Sequence, residues 1–496
     1  MNSQVLLPLA IIGTSFGTAL VIFLLGERPH RTRTWLNLGG AAINLLLVAM
    51  MLWGVYQGVH YEVRWTLLPR LDLALEADAL AMLFITLSAA LWLVTTVYAV
   101  GYLHNTAHRC RFFGFFSLCV TATFGIALAD NLITYFIFYE LLTLATYPLI
   151  VHWGSEKALQ AGVTYLRYTL TGSSVLLAGI VWLYALSGEQ NFTEGGFLGG
   201  FGTDQRLALQ CIFVLLIAGF GVKAALIPLH GWLPEAMAAP APVSALLHAV
   251  AVVKAGAFGI IRVVYDVYGV NAAHRLDVTE PLAWLAAITI VYGSFQALRQ
   301  NDLKRRLAFS TVSQVSYITL GVAIAGPVAT IGGIVHLVHQ GLMKITLFLC
   351  AGNLAETIGI HKISEMNGCG RRMPWTMTAF TLGALGMTGV PPMAGFISKW
   401  YLGQGGMLAE APWVIAVLAA STLLNAMYFL PILYRAWFLP PPDQWPEQKL
   451  ATRYETRLTL LIPPLVTAFA ALAAGLFAST PISPLAWAIL ITGREY

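Results

Sequence analysis

Five charged side chains lie deep inside long apolar runs: Glu140, Lys223, Lys254, Lys344 and Lys399. Glu140 stands in LITYFIFYELLTLATYPL, Lys223 in GFGVKAALIPLHGWLP, Lys254 in LLHAVAVVKAGAFG, Lys344 in HLVHQGLMKITLF and Lys399 in GVPPMAGFISKW. A charge at mid-bilayer costs roughly 2.5–3.5 kcal/mol even on the lenient insertion scale. One glutamate cannot neutralise four lysines. An amine buried without an acid partner favours its neutral form, and so accepts and releases protons near neutral pH. The chemistry open to this set is proton transfer. His248 precedes Lys254 by six residues, and His336 and His339 precede Lys344 by eight and five. An i, i+8 spacing keeps His336 within about 80° of the lysine face of a helix. Neutral imidazole donates at one nitrogen and accepts at the other, so it can bridge between lysines. No carboxylate or cysteine stands by these histidines to complete a metal shell.

The elements that must hold these residues are membrane helices. Of the 496 residues 58% are hydrophobic and 10% charged, against about 25% charged in a typical soluble protein. Mean hydropathy is +0.73. That excludes a soluble multidomain enzyme, and the collagen-like, disordered and disulfide-rich classes fail as well. Five cysteines (Cys110, Cys119, Cys211, Cys350, Cys369) form no CxxC pair, and Gly195–Gly202 lacks a P-loop lysine. No redox site, nucleotide site or cofactor is expected, and no nucleic-acid partner.

Runs of about 20 apolar residues span a bilayer core. Fourteen are readable, at 5–25, 35–57, 78–102, 111–129, 131–152, 162–187, 207–228, 241–266, 281–299, 307–325, 328–352, 374–404, 411–437 and 458–479. The stretches 191–206 and 440–457 read as plain loops. The first span has no basic leader and reads as a retained helix. Odd-numbered loops carry 17 Lys and Arg, among them Arg28, Arg31, Arg33 and Arg109, while even loops and both tails carry 5. By the positive-inside rule the odd loops are cytoplasmic and both termini extracytoplasmic, in a bacterial inner membrane. Those basic loops are topological charge. Arg167 and Arg262, near span ends, can snorkel to headgroups.

Two spans carry both a lysine and a helix break. Pro228 follows Lys223 by five residues, and Pro391-Pro392 precede Lys399. Such breaks survive in a bilayer only where protein or water satisfies the freed backbone. Paired broken helices point to an inverted repeat. The division is residues 1–110 for helices 1–3, 111–270 and 281–437 for the two five-helix repeats, and 438–496 for a loop and helix 14.

The stretch VKAALIPLHGWLPEAMAAPAPVSALLHAVAVVKAGAFGIIR (222–262) resembles the signature of the antiporter-like subunits of respiratory complex I and of Mrp-type cation/proton antiporters. HLVHQGLMKITLFLCAG (336–352) and GVPPMAGFISKW (389–400) are similar to two further family blocks, and the similarity covers roughly residues 75–440. The resemblance implies an all-α polytopic fold of about fourteen helices. Helices 4–8 and 9–13 would be inverted repeats, helices 7 and 12 broken, with a polar line at mid-membrane. It implies that Glu140 pairs with Lys223, that Lys254 and Lys344 continue the line, and that Lys399 takes the twelfth-helix position, which is Lys or Glu in the family.

The expected mechanism opens the Glu140–Lys223 pair and passes a proton by water and histidine through Lys254 and Lys344 to Lys399. The expected setting is a hetero-oligomeric complex with other membrane subunits in the lipid bilayer. His339-Gln340 leans toward an Mrp subunit-D-like chain, with sodium or potassium as candidate coupling ions. The alternatives are a proton-pumping subunit of a complex I-like, hydrogenase or inorganic-carbon uptake complex, and a non-conducting assembly scaffold. In the redox-driven case this chain would still hold no redox site of its own.

Overall fold

The computed structural model describes residues 3–27, 30–68, 71–104, 106–188, 191–200, 203–446 and 455–496. Arg28, Arg70, Lys449, Arg453, and parts of the two expected loops lie outside the described residues.

Apolar runs become helices, and polar residues at their starts satisfy the first free N–H groups. Helices α1 (Ser3–Leu25) and α2 (His30–Tyr56) come first. An antiparallel hairpin follows, of β1 (Glu62–Leu68) and β2 (Leu71–Glu76), pairing Glu62 with Glu76 and Trp65 with Leu73. Helix α3 (Ala79–Tyr102) starts at Asp78, whose Oδ1 accepts from the Ala81 N–H. Then come α4 (Arg109–Leu128), α5 (Leu132–Ile150, capped by Asn131) and α6 (Glu156–Ser187, capped by Ser155). The seventh passage is α7 (Arg206–Ala224), a break, and the short α8 (Trp232–Glu235). The eighth is α9 (Ala241–Ala249) and α10 (Val252–Arg262), ending in a π-helical turn at Val263–Tyr268.

After α11 (Val270–Arg275) the second set begins with α12 (Thr279–Leu298), α13 (Leu303–Ala323, capped by Asp302) and α14 (Pro327–Ile358). The short α15 (Cys369–Arg372) leads into the broken passage α16 (Pro374–Thr388) and α17 (Ala394–Leu408), then α18 (Trp413–Phe438). The chain closes with α19 (Leu458–Leu476) and α20 (Pro484–Glu495). Twelve of the described passages are long and apolar enough to cross a bilayer on their own. Helix α13 and the α16–α17 pair complete the fourteen. α13 is rich in Ser, Thr and Gln, and α16 and α17 have 15 residues each. The protein is a helical, multi-pass membrane protein.

Polar contacts between loops test the count independently, because a miscounted span would join opposite faces. Odd loops meet odd loops: Arg305 pairs with Glu235 at 2.9 Å, and Arg111 donates to His152 O. Even loops and the C-terminus meet each other: Arg64 with Asp130, Arg206 with Asp277, and Glu495 with the Gly195 N–H. Each set of five passages has an odd number, so the second set enters from the opposite face. In both sets the third helix is 32 residues long and the fourth passage is broken.

The helical fold carries an addition that was not expected: Val63 and Trp65 alternate with Glu62 and Arg64, and this period-two pattern forms the hairpin. Helix α20 was not read, because 12 residues cannot span a bilayer. The 191–206 segment is no plain loop. Its main chain bonds to Asp130, Asp266 and Val267, and it carries 3₁₀ turns at Leu198–Gly200 and Thr203–Gln205. Within 440–457, Glu455 is buried and accepts from the N–H groups of Trp375 and Thr376, capping α16.

Candidate functional site

Lys223 lies in the last turn of α7. Ala225, with φ +58°, ends the helix two residues later, and Gly256 of α10 packs against this end. A Cβ at Gly256 would lie 2.2 Å from the Ala224 nitrogen, so only glycine allows this approach. The Lys223 Nζ donates to the Tyr139 carbonyl at 2.5 Å and stands 3.3 Å from the centre of the Tyr139 ring, a cation–π geometry.

The expected Glu140–Lys223 ion pair is not formed: no described carboxylate lies within 4 Å of Lys223. Consecutive helical residues point about 100° apart. Tyr139 takes the α7 side, and Glu140 turns to α6, where its Oε1 accepts from Ser173 Oγ; Thr143 Oγ1, on Glu140's own helix, also donates to it at 3.4 Å. Lys223 is fully buried, while Glu140 is half-buried on the outer face.

The other three lysines also meet neutral oxygen. Lys254 Nζ donates to Leu337 O of α14 at 2.7 Å. Lys344 Nζ donates to Leu307 O at 3.1 Å and Ser310 Oγ at 2.7 Å, both on α13. Lys399 Nζ donates to Thr388 O at 2.8 Å, where α16 ends, and to Thr422 Oγ1 of α18 at 3.0 Å. Gly389, with φ +89°, turns the chain there. A Cβ on it would lie 2.8 Å from the Lys399 Cδ. Lys399 is half-buried and lines a 730 Å³ cavity with Phe396, Trp400 and Thr422.

The histidines divide differently from the expectation. His339 Nδ1 bonds Ser398 Oγ at 2.9 Å, beside Lys399. The His336 ring lies 5.2 Å from the Tyr317 ring, and Lys399 is 5.7 Å from that same ring. Leu337, which holds Lys254, is the next residue after His336. These two histidines therefore lie between Lys254 and Lys399. His248 stacks on Phe348 at 4.4 Å, one turn beyond Lys344. Among the described residues, neither nitrogen of His248 or His336 has a regular hydrogen-bond partner, nor do the amides of Gln314 and Gln340.

Sequence reading missed the partners of Lys344. Ser310 Oγ bonds Tyr428 OH at 2.8 Å, Tyr428 OH donates to Asn425 Oδ1 at 2.7 Å, and Asn425 Nδ2 donates to Met387 O at 3.1 Å. That carbonyl is one peptide from the one that holds Lys399. The signal was present: Ser310, Ser313, Gln314 and Tyr317 recur at i, i+3, i+4, i+7, a polar stripe within a span.

The snorkelling expected of Arg262 is also overturned. Arg262 is 3% exposed, bonds both oxygens of Asp78 at 2.6 and 2.9 Å, and bonds Asp266 at 3.0 Å. Phe192 lies over its guanidinium at 5.2 Å. A buried guanidinium is stabilised by paired carboxylates, and two on the same membrane face supply them. Arg167, by contrast, is exposed.

A helical bundle with buried lysines and broken passages defines a class, and comparison with known proteins identifies it. Residues 129–425 match the family model "NADH:quinone oxidoreductase/Mrp antiporter, TM". The chain is 36% identical over 435 residues to NADH-quinone oxidoreductase subunit N of Desulforudis audaxviator, covering 86% of this chain and 85% of that one. It is 32% identical over 400 residues to the putative antiporter subunit mnhA2 of Staphylococcus aureus, covering 76% of this chain and 49% of that protein. The fold is similar to a chain of the Mrp complex from a Dietzia species, with a TM-score of 0.85 at 22% identity, over 100% of this chain and 97% of that one. The protein belongs to the NADH:quinone oxidoreductase/Mrp antiporter membrane family. It is an antiporter-like subunit of the kind found in multisubunit membrane complexes.

Proposed function

We propose that this subunit translocates protons along a buried line running from Lys223 through Lys254 to Lys399, with Lys344 beside it. One observation carries the reading: among the described residues, all four deep lysines rest on neutral carbonyls or hydroxyls and none on a carboxylate. Such an amine exchanges charge with its surroundings by gaining or losing a proton. Buried polar groups without protein partners are satisfied by water. The unbonded nitrogens of His248 and His336, with Gln314 and Gln340, support a hydrated stretch between the lysines. Glu140 acts on Lys223 through space, not by contact. The four groups titrate as a coupled set.

The assembly reading follows from the outer face. Glu140 and Lys399 are both half-buried, where neighbouring subunits would cover them. We assign residues 111–270 and 281–437 to two inverted functional halves, flanked by 1–110 and 438–496. The assembly would sit in a bacterial cytoplasmic membrane with both termini outside. We propose an Mrp-type monovalent cation/proton antiporter as the setting. The higher identity and coverage with subunit N favour a second reading, the proton-pumping arm of a redox-driven complex.

The test is proton transport by the purified complex in vesicles with a pH-sensitive dye, normalised to the amount of assembled complex. Alanine at Lys223, Lys254, Lys344 or Lys399 should each lower turnover per complex. A scaffold would lose abundance and keep turnover. Mass spectrometry of co-purifying subunits separates the two settings.

A further inference from the structure

At the odd-loop face, the ends of α2, α3 and α4 enclose a 280 Å³ cavity lined by His30, Arg31, Arg33, His104 and Arg109. These arginines lie in the first and third loops and were expected to be topological charge alone. Arg33 is instead 2% exposed and Arg109 8%. Their guanidiniums converge on one atom: Arg33 Nη2 lies 2.9 Å and Arg109 Nη1 3.1 Å from His30 Nδ1. Arg33 Nη1 also donates to Cys110 Sγ at 3.0 Å, and Arg109 Nε to Leu103 O.

Glu27 is the nearest described acid, 3.8 Å from Arg33. Its two oxygens are engaged by the main-chain N–H groups of Arg109 and Cys110, at 3.1 and 3.0 Å. Three guanidiniums therefore stand against one carboxylate. Two like charges held on one neutral nitrogen repel each other, and a second anion between them would relieve that. The opposite wall is apolar, formed by Trp35, Leu38 and Phe113, with Trp35 74% exposed. Tryptophan at such a boundary is the usual mark of the membrane–water interface.

We propose that this cavity binds the phosphate of an anionic phospholipid, with Arg31, Arg33 and Arg109 on the headgroup and Trp35 and Phe113 along the first acyl carbons. Basic pockets between helices on the cytoplasmic side recognise such headgroups. The shared chemistry is a phosphate oxyanion; the apolar wall favours the lipid over free phosphate.

The experiment is native mass spectrometry of the tagged complex, exchanged into nanodiscs of phosphatidylcholine with a minor fraction of phosphatidylglycerol. The wild type should retain phosphatidylglycerol through release from the disc. Arg31→Glu, at an exposed position, should lower that retention about tenfold, and Arg206→Glu on the opposite face should leave it unchanged. Equal retention in wild type and Arg31→Glu overturns the proposal. Displacement of the lipid by millimolar inorganic phosphate, with thermal stabilisation by phosphate alone, overturns the lipid assignment. If Arg31→Glu fails to assemble, hydrogen exchange on the wild type decides. Residues 30–38 and 106–113 should be protected in phosphatidylglycerol discs relative to phosphatidylcholine discs, and unchanged exchange there overturns the site.

Discussion

The two five-passage sets hold their charges in mirrored ways. Ser173 and Lys344 are each the eighteenth residue of a 32-residue helix, α6 and α14. Glu140 is the ninth residue of α5, and Ser310 the eighth of α13. In the first set a serine on the long helix donates to a carboxylate on the preceding helix; in the second a lysine on the long helix donates to a serine there. The scaffold is the same and the charge is exchanged, in sign and in helix. The surroundings differ too. Glu140 is half-buried with two hydroxyl donors, whereas Lys344 is fully buried and anchored through Ser310, Tyr428 and Asn425 to the α16 break. One backbone plan thus yields an outward acid in the first set and an inward base in the second.

Of the two exchanged charges, the fully buried Lys344, beside the proton line, gives the larger effect when it is replaced by alanine. We expect proton transport per assembled complex to fall roughly 10²-fold or more, the scale of a lost acid–base group. Glu140→Gln, which keeps shape and loses charge, should fall less. Its partners are hydroxyls, and its effect on Lys223 is through space. Equal losses in vesicle assays would break the comparison.

Next in size is Tyr428→Phe. An asparagine amide does not pass a proton on, so the Ser310–Tyr428–Asn425 chain positions Lys344 and is not itself a conduit. Removing the hydroxyl leaves Ser310 and Asn425 short of a partner, at about 1–2 kcal/mol of stability. Transport should drop several-fold, and the pH profile of transport should move. A purely structural residue would lower stability without moving that profile.

Much of this was legible in the sequence and some was not, for physical reasons. Fourteen passages were readable because apolar length is a one-dimensional property. The four lysines were readable because charge within an apolar run is expensive. The partners were not, because a carbonyl has no sequence signature and serine is common in membrane helices. Thus Ser173, Ser310, Tyr428 and Asn425 passed as ordinary span residues. The Glu140–Lys223 pairing was misread because the resemblance supplies identities and not rotation about a helix axis. Arg262 was misread because its acids, Asp78 and Asp266, come from separate segments that only the fold brings together.

A smaller test returns to the exchanged pair. Ser173→Ala removes one donor from Glu140, and Ser310→Ala removes one acceptor from Lys344. Charge-assisted hydrogen bonds are worth about 1.5–3 kcal/mol when removed from a buried site. Lys344 is fully buried and Glu140 is not, so the Ser310 change should lower the melting temperature of the complex more. The reverse order in a thermal-shift series would mean that Glu140 is the better shielded charge when neighbours are in place.

The smallest effect lies at the even-loop face, outside the spans. Burial, and then the Glu76 carboxylate beside it, push the Asp130 carboxyl up to about 8, against the pull of Arg262 and Arg64. Burial and Asp78 likewise raise Glu76. Both neighbouring carboxyls are raised, so the folded protein keeps a proton there to higher pH than an ordinary carboxylate would. A carboxyl raised on folding contributes stability at low pH, and that contribution is lost as pH rises from the ordinary carboxylate range toward about 8. Wild-type complex should therefore lose on the order of 1 kcal/mol between pH 6 and 9 from this pair, seen as a falling melting temperature. Asp130→Asn keeps a hydrogen-bond donor for Glu76 without a titrating proton, and its curve should be flatter over the same window. Because burial also raises Glu495, to about 7, a slope that persists unchanged in Asp130→Asn would assign the titration to Glu495 and not to the hairpin pair.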